Sequence, residues 1–176
     1  MSYPHHKGSE NPEKAQYIQV MKEENKVILK PRALDIIWGN DPRYWRLLDD
    51  KAGGTAELVQ VCWLEVNGSY SLKSLDPNTD YGLQFKLKLN PDAFGWNENP
   101  IYIMVKVGKN GKPNWTSVHL SKNSYGVTFS APNYQNPLKF RFKNGDEELK
   151  FGLYEVWSGR WKGGLVIEEV VISRCP

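Results

Sequence analysis

A chain of 176 residues, 40% hydrophobic and 12% aromatic, has enough apolar material for one core and is short for two domains. Its formal net charge of +3 comes from 23 Lys and Arg against 20 Asp and Glu, spread without a basic block, which argues against binding driven by a dense polyanion. No apolar run reaches the length of a membrane-spanning helix and the first residues lack the apolar core of a secretory leader, so a cytosolic protein with no membrane contact is expected.

In chain order, residues 1–25 are polar and rich in Lys, Glu, Asn and Pro, with one weak apolar cluster at Tyr17, Ile18, Val20 and Met21; they read as a mobile arm ahead of a domain over 27–176. A strand near 32–38 then runs into Trp38-Gly-Asn-Asp-Pro-Arg-Tyr-Trp45, where three rings surround a turn made of Gly39, Asn40, Asp41 and Pro42. A turn of that chemistry belongs on the surface. Exposed rings around it make a stacking platform, suited to the apolar face of a pyranose or to a nucleic-acid base. The competing reading makes one or both tryptophans core plugs.

Strands are expected near 56–66 and 69–75, with Cys62 in the first of them as a buried thiol. Tyr81, Leu83, Phe85, Leu87 and Leu89 alternate with Gly82, Gln84, Lys86, Lys88 and Asn90, the pattern of a strand with one face buried and one wet. Ile101, Ile103, Val105 and Val107 repeat that alternation after an aromatic loop that carries Phe94, Trp96 and Asn97. Further strands near 115–121, 125–130, 138–143, 148–157 and 165–173 are set apart by turn clusters such as Asp76-Pro77-Asn78, Lys109-Asn110-Gly111 and Asn144-Gly145-Asp146. About ten short strands and no long helix give an all-β fold, a single-domain β-sandwich of jelly-roll type.

Little in the chain points to catalysis. His5, His6 and His119 have no ligand spacing, and Cys62 and Cys175 are too few for a disulfide framework or a zinc site, so neither a metal nor a cofactor is expected. Asn67-Gly68-Ser69 and Asn114-Trp115-Thr116 fit the glycosylation acceptor pattern, which has no consequence without a secretory route. Glu148 and Glu155 lie on one expected strand. Seven residues of extended chain separate them by roughly 23 Å, against about 5–9.5 Å for a glycosidase pair, and the odd spacing puts them on opposite faces. Glu148 reads as a solvated loop charge. Glu155 shares its phase with Leu149, Phe151, Leu153 and Trp157; a carboxylate there needs donors, either as a partner of Lys162 or Arg160 or at a point where the inner face opens into a groove. Trp161-Lys162-Gly-Gly adds another aromatic with flexible glycines, either lining a sugar groove or plugging the sandwich end.

Several blocks resemble one known family. Ala33-Leu-Asp-Ile-Ile-Trp38 with Asp41-Pro-Arg-Tyr-Trp45, Val61-Cys-Trp-Leu-Glu-Val66, Leu153-Tyr-Glu-Val-Trp157, Trp161-Lys-Gly-Gly-Leu165 and Ile172-Ser-Arg-Cys-Pro176 follow, in order, the pattern of the Nictaba-like, or phloem protein 2, plant lectins. The chain is most similar to the compact cucurbit phloem lectins. The resemblance implies a non-catalytic jelly-roll lectin that binds β-1,4-linked N-acetylglucosamine oligomers and the chitobiose core of N-glycans and resides in the cytoplasm and phloem sap; weak binding at a shallow site makes a homodimer with two sites the expected form. The resemblance marks Glu148 and Glu155 as positions that match glutamates of sugar contact, and of these Glu155 joins the sugar-binding candidates that the residues themselves supply, Trp38 and Trp45, with Trp96, Asn97, Trp161 and Lys162. It implies for Cys175 a covalent cross-linking role in oxidising sap. Its second implication is RNA binding within ribonucleoprotein traffic; a structural, cross-linking phloem protein is the third. Where larger members carry an acidic aromatic block, this chain reads Ala131-Pro-Asn-Tyr-Gln-Asn-Pro137.

Overall fold

The computed structural model describes residues 14–48, 53–122 and 125–176. Among these, thirteen strands form: β1 (Ile18–Met21), β2 (Lys26–Leu29), β3 (Asp35–Ile36), β4 (Trp45–Leu48), β5 (Thr55–Leu58), β6 (Leu64–Ser71), β7 (Asp80–Phe94), β8 (Ile101–Val107), β9 (Asn114–Val118), β10 (Phe129–Ala131), β11 (Leu138–Arg141), β12 (Glu148–Glu155) and β13 (Gly163–Arg174). They make two antiparallel sheets. The eight-stranded sheet runs β1-β2-β13-β5-β4, with β7 paired to β13 and β10 and β11 paired to β7; the five-stranded sheet runs β3-β6-β12-β8-β9.

The alternating pattern explains why the sheets stack. Leu83, Phe85, Leu87 and Leu89 of β7 and Leu165, Ile167, Val170 and Ile172 of β13 are buried, and they face Ile101, Ile103 and Val105 of β8 and Leu149, Phe151 and Leu153 of β12 in one core cluster. Phe85 and Phe151 meet edge to face across the two layers, with ring centroids 6.2 Å apart. Such a pair adds about 0.5–1.5 kcal/mol beyond the area it buries. The architecture is the expected all-β sandwich.

Three strands fall outside the sequence expectation. β1 and β2 pair from Ile18↔Leu29 to Met21↔Lys26, and the Lys30 amide donates to the Tyr17 carbonyl at 2.9 Å, so residues 14–25 are folded onto the large sheet rather than forming part of a mobile arm. Residues 1–13, with His5 and His6, lie outside the described residues. β4 begins at Trp45, inside the segment read as an aromatic turn. The strand expected over 56–66 is two strands, interrupted at 59–63, where Val61 bridges to Lys162 instead.

Candidate functional site

Glu155 is the last residue of β12, buried beside Lys162, whose side chain is fully enclosed. The Lys162 Nζ lies 3.3 Å from the Glu155 Oε1 and donates to the carbonyls of Cys62 at 3.1 Å and Arg160 at 2.9 Å. The Glu155 carboxylate also accepts from the Trp157 amide at 3.1 Å, the Ser158 amide at 3.3 Å and, closely, the Ser158 hydroxyl. Burial by itself pushes the Glu155 carboxyl up, but the Ser158 hydroxyl, the Lys162 ammonium and the Ser158 amide outweigh it and hold the carboxyl below its ordinary value. The pair is thus a buried, satisfied knot. Of the two expected partners Lys162 is the one that reaches Glu155; Arg160 meets Glu98 at 2.5 Å.

The knot holds a turn that displays rings. It fixes both ends of the turn 156–161, from which Trp157 and Trp161 project with 62% and 52% of their surface exposed. Trp96 supports the turn from beneath: it is buried, and its indole N–H donates to the Gly163 carbonyl at 2.9 Å. Asn97, beside it, is exposed.

The Trp38–Trp45 segment is a folded knot too. Asp41 accepts the Arg43 amide at 3.0 Å and a forked pair from its guanidinium, Nε at 3.0 Å and Nη2 at 2.7 Å. The guanidinium carbon sits 5.1 Å from the centre of the Tyr44 ring, and the half-buried Trp38 packs edge-on against that ring at 5.3 Å. Trp38 has φ of 68°, a left-handed backbone uncommon for a bulky residue. Trp45, 2% exposed, is a core residue. The two-tryptophan platform is therefore corrected: Trp45 points inward because it opens β4 in phase with Leu47 and pairs with the buried Leu58. Trp96, Glu155 and Lys162 are likewise buried, whereas Trp161 and Asn97 are exposed and Trp38 is half-buried.

A larger feature lies on the outer face of the five-stranded sheet. Register places Glu65 (β6), Tyr154 (β12), Tyr102 (β8) and Ser117 (β9) in one row across the strands, and Asn67, Gly152, Met104 and Trp115 in the next. These are the phases opposite to the buried ones, so aromatics stand where a one-sided sheet ordinarily carries small polar groups. Tyr102 and Trp157 meet at 4.9 Å, Trp115 and Tyr154 at 5.6 Å, and Trp115 and Trp157 at 6.5 Å between ring centres. Trp115 remains 47% exposed, and Trp63, at the rim, 45%.

Gly152 makes room for one of these rings. A Cβ added there would collide with the Tyr154 ring and hydroxyl, so the ring folds back over the glycine along the sheet. Its hydroxyl donates to the Asn67 Oδ1 at 2.5 Å, Asn67 donates to Glu65 at 2.8 Å, and the Trp63 indole N–H donates to the other Glu65 oxygen at 3.0 Å. Burial, and secondly the Glu65 charge, push the Tyr154 hydroxyl up to about 12, so it stays a donor at neutral pH. The face combines apolar ring surfaces with a pre-ordered carboxylate, amide and hydroxyl. The sequence reading passed over Trp63, Tyr102, Trp115, Tyr154 and Trp157. The legible signal was phase: Tyr102 and Tyr154 occupy the wet positions of strands whose dry positions are unmistakable.

Comparison with known proteins agrees with the order of the sequence blocks. The family model for phloem protein 2 matches residues 24–174. The chain belongs to the phloem protein 2 family. Protein PHLOEM PROTEIN 2-LIKE A9 of Arabidopsis thaliana is 36% identical over 158 residues, covering 83% of this chain and 86% of its own. A protein named Lectin, from Luffa acutangula, is 33% identical over 111 residues, covering 61% of this chain and 52% of its own. The chain spans 61% of a further relative, Protein PHLOEM PROTEIN 2-LIKE A1 of Arabidopsis thaliana, at 28% identity over 84% of this chain. Among solved structures, the C-terminal CBM6 of LamC from Zobellia galactanivorans aligns over 85% of this chain and 99% of its own, with a TM-score of 0.46 and 11% identity, a distant likeness. No helix among the described residues is long and apolar enough to cross a membrane.

Proposed function

We propose that this phloem protein 2 family member is a carbohydrate-binding protein that takes β-1,4-linked N-acetylglucosamine oligomers, including N-glycan chitobiose, on the outer face of the five-stranded sheet without cleaving them. The observation that carries the reading is the ring cluster of the exposed Trp157 and Trp115 with the half-buried Tyr154 and Tyr102, in which Tyr154 lies over Gly152 and is joined to a hydrogen-bonded Asn67 and Glu65. A pyranose has the matching polarity: its C–H face lies on rings, and its hydroxyl and acetamido groups seek donors and acceptors at the ring edges. The Glu65 carboxylate accepts from Trp63 and Asn67 and keeps further lone pairs for a sugar hydroxyl. Trp161 and Asn97 extend the surface at the sandwich end. The Luffa acutangula relative named Lectin supports the same class.

A shallow face of this kind gives modest monovalent affinity, because ordering costs offset much of a small contact area. Cross-linking of glycans then calls for a homodimer that presents two faces. A glycan array followed by calorimetric titration with chitooligosaccharides tests the reading. Binding that is weakened in both Trp115→Ala and Trp157→Ala supports it, and absence of any glycan ligand, or affinity unchanged in both variants, overturns it.

A further inference from the structure

A groove of about 1010 Å3 runs along the open edge of the sandwich, between β8 with its following turn, β11, and the turn that leads into β12. Lys106, Lys109, Lys112, Lys139, Lys143 and Lys150 line it together with Arg141, against three carboxylates, Asp146, Glu147 and Glu148. Among the described residues none of the six lysines makes an ion pair, and Arg141 meets Asp80 at 3.5 Å. Three separate stretches of chain, 106–112, 139–143 and the start of β12 at 150, supply these cations, so no basic run exists in the sequence, yet the fold concentrates a positive field along one edge.

Groove and aromatic face are continuous. Lys106 and Lys150 are register partners on β8 and β12, and each lies two residues beyond the row of Met104 and Gly152 that ends at Trp115. At the rise of a strand that offset is about 7 Å, and both lysines share the outward phase of the rings. A chain stacked on Trp115 and Tyr154 and continuing along the strands therefore enters the lysine groove.

We propose that this groove holds the carboxylates of an anionic β-linked glycan that carries uronate groups on some of its sugars, with neighbouring sugars stacked on Trp115 and Tyr154. The proposal rests on the reading that the rings take pyranoses. Charge complementarity selects the occupant: seven cations offset by three carboxylates within the groove, and Glu65 at the far side of the rings, suit a polymer that carries charge on some of its units. They suit poorly a nucleic acid, with a phosphate at every residue.

The test compares two probes with one backbone: neutral chitooligosaccharide, and the same oligomer oxidised at C6 to the carboxylate. Calorimetric titration of the protein should give tighter binding to the oxidised probe at low salt. Lys106→Glu combined with Lys150→Glu should weaken that probe by about ten-fold, a loss that belongs to charge pairing, and leave the neutral probe within about two-fold. Lys112→Gln with Lys139→Gln, both at exposed positions, provides a second and milder variant whose fold is checked by circular dichroism. Failure of the oxidised probe to bind, or an affinity for the oxidised probe that is unchanged in both lysine variants, overturns the proposal. So does displacement of the oxidised probe by poly(U) at lower concentration, which would assign the groove to nucleic acid. A neutral probe that fails while the oxidised one binds and responds to the lysines overturns the N-acetylglucosamine reading alone.

Discussion

Glu155 and Lys162 show how a residue at a marked position acts through what it holds in place. Their side chains are enclosed and mutually satisfied, so Glu155→Gln leaves the Lys162 ammonium buried without its counter-charge. Loss of one partner of a buried pair costs about 3–5 kcal/mol, which a shift in denaturant midpoint at pH 7 would register. The sign of the pH dependence follows from the folded carboxyl lying below its ordinary value. Its stabilisation is complete above the unfolded value, about 4.3, and is lost as pH falls through the folded one. The gap between wild type and Glu155→Gln should therefore be full at pH 7 and close only in acid; a gap that is constant down to pH 3 would contradict the assignment. The tryptophans divide in the same way. Trp45→Ala should cost stability, about 3–5 kcal/mol for a buried ring, whereas Trp157→Ala should keep the melting temperature and lose about 1–3 kcal/mol of sugar affinity, by analogy with base stacking. Thermal scans paired with titrations separate the two, and a stable Trp45→Ala protein would reopen the turn as a binding surface.

At the level of elements, legibility followed length and alternation. β8 occupies the expected 101–107 because four β-branched residues in strict alternation admit no other register. β1 was missed because four residues at a sheet edge, Ile18–Met21, leave no periodicity to count, and their stability comes from pairing to β2. Removal of residues 1–25 deletes that strand and the Lys30 to Tyr17 hydrogen bond, so the melting temperature should drop by about 2–4 °C for each kcal/mol lost; an unchanged melting temperature would show the edge strand to be dispensable. Gly152 is the element-scale determinant of the proposed sugar face. In Gly152→Ala the new methyl displaces the Tyr154 ring from the sheet, an overpacking cost of about 1–3 kcal/mol. Chitooligosaccharide affinity should fall with it, and the Tyr154 hydroxyl, pushed up to about 12 by burial, should move toward its ordinary value. Spectrophotometric titration of the variant reads this directly.

Over the whole molecule, the sandwich separates two properties that composition averages together. A net charge of +3 describes neither the aromatic face, where Glu65 is a hydrogen-bonded charge beside Tyr154 and Trp63, nor the edge groove, where seven cations gather from 106–150. Sequence blocks were sufficient to place the chain in its family, but the position of each ring relative to the surface depends on register and on which sheet it joins. For that reason Trp45 and Trp96 were read as surface candidates, while Trp115 and Tyr154 were overlooked. The separation predicts a response to ionic strength. Neutral chitooligosaccharides that lie on the rings release no counterions, so their affinity should stay within about two-fold across a ten-fold rise in sodium chloride. A log-log slope near zero, measured by titration at several salt concentrations, places the neutral ligand on the aromatic face. A steep negative slope would move it into the lysine groove and sink the division of labour between ring face and charged edge.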